Sequence, residues 1–182
     1  MRIDTVNSYP YRPEIVKNSD RVSAACFGSG VWIRIEGRGD FHSSGALKQF
    51  VRSMIQKGQN EYVIDLAGCE HMDSTFMGTL TGISQNLRDI AQGSLRVVNV
   101  SQRNVDLLEN LGLSMLFKVE SAASEMQIPP VEDVSLDILP ETTEPQKEIV
   151  LSAHEALAGA NKSNAERFRD VLEYLKKEEK KS

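Results

Sequence analysis

The stretch Tyr62-Val63-Ile64-Asp65-Leu66-Ala67-Gly68-Cys69-Glu70-His71-Met72-Asp73-Ser74-Thr75-Phe76-Met77-Gly78 decides how this chain folds. Its apolar run, Tyr62 to Leu66, reads as a short strand buried on both faces, and it ends in a turn. An Asp-Ser-Thr follows just where a helix begins. Phe76, Leu80, Ile83, Leu87 and Ile90 recur at offsets of four, three, four and three, which gives that helix one apolar face. Ser74 falls at or beside the N-cap, its hydroxyl among backbone N–H groups that lack intrahelical partners. A helix N-terminus carries partial positive charge, so a phosphate on Ser74 would be tolerated there.

On the N-terminal side, a helix carries the stripe Leu47, Phe50, Val51, Met54 and Ile55, with Ser43 or Ser44 as its cap and Gly58 as its stop. Glu36 to Asp40 reads as a loop, in which Asp40 is either a partner-facing carboxylate or the former of an Asx-turn. Val22, Ala24 and Cys26 alternate, Gly28-Ser29-Gly30 turns the chain, and Val31, Ile33 and Ile35 alternate again, which predicts a β-hairpin. Residues 1–20 hold two prolines and no period, and read as an arm.

On the C-terminal side, Gln92-Gly93-Ser94 leads into a strand from Leu95 to Val100. Ser101 caps a third helix through Val105, Leu108 and Leu111, and Leu113 to Val119 adds a short extended piece. Residues 21–120 thus make an α/β domain: a mixed β-sheet of four to five strands with covering helices. Residues 121–143 are acidic and contain Pro129, Pro130 and Pro140; they read as a linker, with Val134, Leu136, Ile138 and Leu139 offering apolar groups for docking. Two capping boxes, Thr143 with Gln146 and Ser163 with Glu166, predict helices over about 144–159 and 164–180, a helical extension spanning 144–182. Ile149, Ala153, Ala156 and Ala160 mark a weak apolar face on the first; Phe168, Val171, Leu172 and Leu175 mark a clearer one on the second. These helices either pack on the domain or each other, or serve dimerisation or partner docking.

The net charge of −5, with no basic stripe, argues against nucleic acid as a partner. No apolar run approaches the roughly 20 residues that span a bilayer, and the N-terminus lacks a signal-peptide core, so a cytoplasmic protein with no membrane partner is expected. Cys26 and Cys69 sit in apolar surroundings without metal-like spacing and read as buried thiols. His42, His71 and His154 are scattered, which predicts neither a metal nor another cofactor. His71, Asp73 and Ser74 are triad ingredients, but near-consecutive residues diverge in space and no Gly-x-Ser-x-Gly elbow is present. No enzyme is expected.

Three motifs in order, Ile35-Glu36-Gly37-Arg38-Gly39-Asp40, Val63-Ile64-Asp65-Leu66 and Asp73-Ser74-Thr75-Phe76-Met77-Gly78, resemble the STAS domain family and within it the bacterial anti-sigma factor antagonists. The resemblance runs from about Val22 to Val119. It departs at Gly39, where the family usually has an apolar residue, and this predicts a looser loop before Asp40. The resemblance implies a regulatory binding module that holds a serine-kinase anti-sigma factor when unphosphorylated. That kinase would phosphorylate Ser74, with Thr75 as a second candidate acceptor, and a PP2C-type phosphatase would reverse the step. Asp40, Asp73, Ser74, Thr75 and Gly78 would form the partner-binding surface, and the C-terminal helices offer a route to a homo-oligomer. The alternative implied by the family is a scaffold or small-ligand sensor that is not phosphorylated.

Overall fold

A computed structural model of the chain describes residues 20–27, 30–121 and 137–179. The hairpin consists of β1 (Arg21–Phe27) and β2 (Gly30–Gly39), and its predicted turn at 28–29 lies outside the described residues. Then follow α1 (Phe41–Gln56), β3 (Glu61–Met72), α2 (Ser74–Arg88), β4 (Ser94–Val100) and α3 (Gln102–Asn110). A single 3-10 turn (Leu113–Met115) precedes β5 (Lys118–Ser121), and a two-residue β6 (Asp137–Ile138) precedes α4 (Gln146–Ala160), α5 (Lys162–Arg167) and α6 (Arg169–Glu179).

The sheet is mixed, in the order β5-β4-β3-β2-β1-β6. The β1 strand runs antiparallel to β2 and β6, whereas β2, β3, β4 and β5 are parallel neighbours. Among the described residues six strands therefore stand where four to five were predicted. The extra one comes from the region read as a linker: Ile138 pairs with Ser23, and Leu139 N–H donates to the Val22 carbonyl at 2.8 Å. Val134 and Leu136 lie outside the described residues.

Register puts Val22, Ala24, Val31, Ile33, Ile35, Tyr62, Ile64, Leu95 and Val97 on one face, and the stripes of α1 and α2 bury it. Leu47, Val51, Phe76, Leu80 and Leu87 are at most 2% exposed. Each side chain of that size contributes about 1.5–3 kcal/mol on burial, which makes this the anchored side of both helices.

Several local readings are corrected. The strand at Tyr62 extends to Met72, and β2 extends to Gly39, because the two pair in parallel almost to their ends, through Glu36↔Gly68 and Gly39↔Met72. Irregular register along this pair is accommodated by Gly37 at φ +81°. The segment before Asp40 is therefore strand, and it is held: Gly39 is buried, and a Cβ there would lie 2.8 Å from the Phe76 ring. The cap of α1 is Asp40, not Ser43 or Ser44, because its carboxylate accepts from His42 N–H (2.9 Å) and Ser43 N–H (3.4 Å), while Ser43 Oγ accepts from Asp40 N–H.

In the extension, Pro145 occupies the N-cap of α4 without a side-chain cap, since the Thr142 hydroxyl is turned to the Glu144 N–H and Thr143 caps nothing. Asn161, not Ser163, caps α5 through the Asn164 N–H at 2.9 Å. The second predicted helix is divided at Phe168 into α5 and α6, and Gly159 sits inside the last turn of α4. Both cysteines are free, and Cys69 is buried. Cys26 is exposed, near the end of β1, with its sulfur 3.7 Å from Met54 Sδ of α1. Among the described residues, no helix is long and apolar enough to cross a membrane.

Candidate functional site

Parallel pairing of β2 with β3 brings their C-terminal ends together, and each is followed by an aspartate that caps the next helix. Asp73 N–H donates to the Gly39 carbonyl at 2.9 Å and fixes the two ends side by side. Asp73 Oδ1 accepts the Phe76 N–H at 2.9 Å, so this carboxylate satisfies one of the unpaired donors of α2. Ser74 is then the first helical residue, half-buried, and its hydroxyl has no capping duty.

That hydroxyl meets a residue far away in sequence. Ser74 Oγ lies 3.0 Å from His154 Nε2 on α4. His154 Nδ1 lies 2.8 Å from the Val150 carbonyl, an acceptor only, which assigns the ring proton to Nδ1. In the neutral ring Nε2 then accepts from Ser74 O–H. His154 is 6% exposed, with Phe168 against it edge-on at 5.6 Å between ring centroids.

The contact belongs to a longer seam. Ser74, Gly78, Gly82 and Gln85 recur at offsets of four, four and three on the side of α2 opposite the Phe76 stripe. Along them lies α4. A Cβ at Gly78 would stand 2.2 Å from the Ala153 carbonyl oxygen, one at Gly82 3.6 Å from Ala156 Cβ, and Gln85 Nε2 donates to the Ala156 carbonyl at 3.4 Å. From α1, Lys48 Nζ reaches Glu144 (2.6 Å) and Ser152 (2.9 Å), and Gly45 faces Thr142 and Ile149. Hence α4 forms a third layer outside α1 and α2 and closes over Gly78.

The predicted site residues are thus partly assembled. Asp40 and Asp73 hold neighbouring helix ends, Ser74 lies between sheet edge and α4, and Thr75 (6% exposed) points its backbone carbonyl to the Thr79 hydroxyl. His71, one of the three triad ingredients, is exposed on β3. Sequence reasoning missed His154: a partner 80 positions away leaves no local signal. Gly78 is among the residues expected on the partner-binding surface, whereas Gly82 and Gln85 are not.

Charge at this rim is balanced. Arg38 Nε lies 3.9 Å from Asp40 Oδ2, but its closer partner is Asp20 at 3.0 Å. Desolvation pushes the Asp20 carboxyl up, and hydrogen bonds from the Arg38 side chain and backbone pull it down further, so it ends below the ordinary carboxylate value. Burial pushes the Cys69 thiol up. Among the described residues no cluster of three or more His, Cys, Asp or Glu is placed to hold a metal.

The family model of the STAS domain matches residues 21–126, more than half of the chain. The chain belongs to the STAS domain family. A solved structure of a candidate anti-sigma factor antagonist from Thermotoga maritima (tm1081) shares the fold: its TM-score is 0.50 at 18% identity, covering 56% of this chain and 87% of that one. SpoIIAA, an anti-sigma factor antagonist solved in its unphosphorylated form, gives 0.47 at 19% identity, covering 57% of this chain and 90% of its own. No curated protein matches the chain. The STAS match ends at residue 126, so α4, which supplies His154, comes from outside the matched span.

Proposed function

We propose that this STAS domain is an anti-sigma factor antagonist-like binding module, switched by reversible phosphorylation of Ser74. Unphosphorylated, it binds a serine-kinase anti-sigma factor; the kinase modifies Ser74 and a PP2C-type phosphatase restores it. One observation carries the reading: Asp73 caps α2, which leaves the Ser74 hydroxyl without a capping duty. A serine needed as the cap would be a poor switch, because modifying it would remove the cap.

A phosphate there adds about −1.5 to −2 charges. The N-terminus of α2 offsets part of this, by about 0.3–1 kcal/mol and up to about 2 in a partly buried site. The sheet and its helices should therefore keep their fold, while a protein seated on the rim of Asp40, Asp73 and Ser74 meets a new, desolvated like charge. Such juxtaposition costs several kcal/mol at an interface, and about 1.4 kcal/mol is tenfold in affinity. The role proposed is binding, not catalysis.

Incubation of the full chain with serine-kinase anti-sigma factors, followed by mass-spectrometric mapping, tests this. Phosphate should appear on Ser74 and vanish in Ser74→Ala. Phosphate confined to other residues would overturn the proposal.

A further inference from the structure

The face of α2 that carries Ser74 is already occupied, and its occupant describes what the face accepts. We propose that the groove along α1 and α2 is a helix-binding surface closed by the chain's own α4, which must leave before a partner or a phosphate can reach Ser74. The inference rests on the reading of Ser74 as the phosphoacceptor and adds the regulation of that site.

Three features of the seam support it. First, the contact is made by close approach: Gly78 touches the backbone of Ala153, and Gly82 faces Ala156. Glycine on one helix and alanine on the other leave little room for a phosphate beside Ser74. Second, the polar contacts are part-buried and individually replaceable: Ser74 with His154, Lys48 with Glu144 and Ser152, Gln85 with the Ala156 carbonyl. Water or a second protein can take each over. Third, α4 enters without a side-chain cap and lies beyond the residues that match the STAS family, so the matched fold does not include it.

The occupant also defines the competitor. A partner helix fits this groove when it brings alanine-sized residues opposite Gly78 and Gly82, an acidic group for Lys48, and a hydrogen-bond acceptor for the Ser74 hydroxyl. Binding such a partner and docking α4 exclude one another. Phosphorylation of Ser74 and docking of α4 do so as well.

Access to position 74 can be read without knowing the kinase. The full chain carrying Ser74→Cys in a Cys26→Ser background is alkylated with iodoacetamide, with and without Ala153→Glu, which puts a carboxylate into the seam. Mass spectrometry follows the introduced thiol and the native Cys69 separately. Cys69 is 5% exposed with its thiol pushed up by burial, so it reports unfolding of the domain. The expected result is at least tenfold faster labelling at position 74 in the Ala153→Glu chain, with Cys69 protected throughout. Equal rates within twofold, fast or slow, would overturn the proposal, since α4 then either fails to cover the site or fails to leave it. The introduced thiol and Cys69 becoming reactive together would overturn it too, by making α4 part of the indivisible core. Failure of the underlying reading looks different: Ala153→Glu releases the introduced thiol, yet no kinase places phosphate on Ser74 of the chain that keeps its serine.

Discussion

Replacing Gly78 by alanine separates the two sides of α2. A Cβ at this position would lie 2.2 Å from the carbonyl oxygen of Ala153, 2.6 Å from its carbonyl carbon and 2.9 Å from its Cα. All three are backbone atoms, so no rotamer relieves the clash and α4 itself must shift. Overpacking of this kind costs about 1–3 kcal/mol. Alanine also improves α2 by roughly 1 kcal/mol over glycine, whether or not α4 is docked. The substitution therefore weakens docking by about fivefold to a hundredfold, at roughly 1.4 kcal/mol per factor of ten, while the sheet with α1 and α2 is stabilised. Gly82→Ala makes the matched control, because its Cβ would meet Ala156 Cβ at an ordinary 3.6 Å. That variant keeps the helix gain without the clash, and docking should hold or tighten. Amide hydrogen exchange resolved by peptide is the assay. In Gly78→Ala, α4 should lose protection while β3 and β4 keep theirs; in Gly82→Ala both should be retained. Full protection of α4 in Gly78→Ala would refute the reasoning, as would greater opening in Gly82→Ala than in Gly78→Ala.

The same 3.6 Å approach suits a disulfide, whose Cβ atoms lie about 3.5–4.5 Å apart; Gly82→Cys with Ala156→Cys, in a Cys26→Ser chain, should oxidise readily and suppress exchange in α4 until reduced. Asp73→Ala should lower stability by about 0.5–2 kcal/mol through loss of the cap, whereas Ser74→Ala should leave the denaturation midpoint of the sheet nearly unchanged. At the β4–β5 edge, burial pushes Glu120 up, but Arg96 (2.8 Å) and Lys118 (3.3 Å) outweigh it and hold the carboxyl below its ordinary 4.5. A depressed folded value means that the pair stabilises fully above about pH 4.5 and is lost as pH falls below it. The thermal midpoints of wild type and Glu120→Gln should accordingly differ near neutral pH and converge on acidification.

Much of the domain was legible because burial imposes a period. The alternation in Val22–Ile35 and the stripes through Leu47 and Phe76 report which sides face the core, and the structure buries those sides. Ends were less legible. From sequence Ser43 or Ser44 reads as the cap and Asp40 as a loop residue, but the carboxylate at 40 becomes the N-cap and the hydroxyl at 43 answers it. Similarly, Gly68 reads as a turn by composition, although pairing with Glu36 keeps it in the strand. The seam beneath α4 was least legible. Ser74, Gly78, Gly82 and Gln85 hold no large apolar group, so a hydrophobicity pattern passes over them. Glycine bears on a close backbone contact only when the other backbone is known.

Under the proposed switch, the two sides of α2 would divide structure from regulation. Phe76, Leu80, Ile83 and Leu87 face the sheet, all at most 4% exposed, and their burial holds the helix through any event at the surface. Ser74, Gly78 and Gly82 face α4 and bury little apolar area of their own; close approach and replaceable hydrogen bonds act there beside the apolar side of α4 itself, where Ile149, Ala153 and Leu157 are at most 2% exposed. Had the outer stripe been leucines, removal of α4 would have left an apolar patch costly to solvate, and a phosphate on Ser74 would have had to disrupt a core. With glycines and a hydroxyl, the α2 side of the seam is small and polar enough to stand in water, and the apolar groups left to be covered again are Ile149 and Leu157 of α4. Under the proposed switch a charge at Ser74 would act first on the seam, and the part of the chain to answer it would be α4.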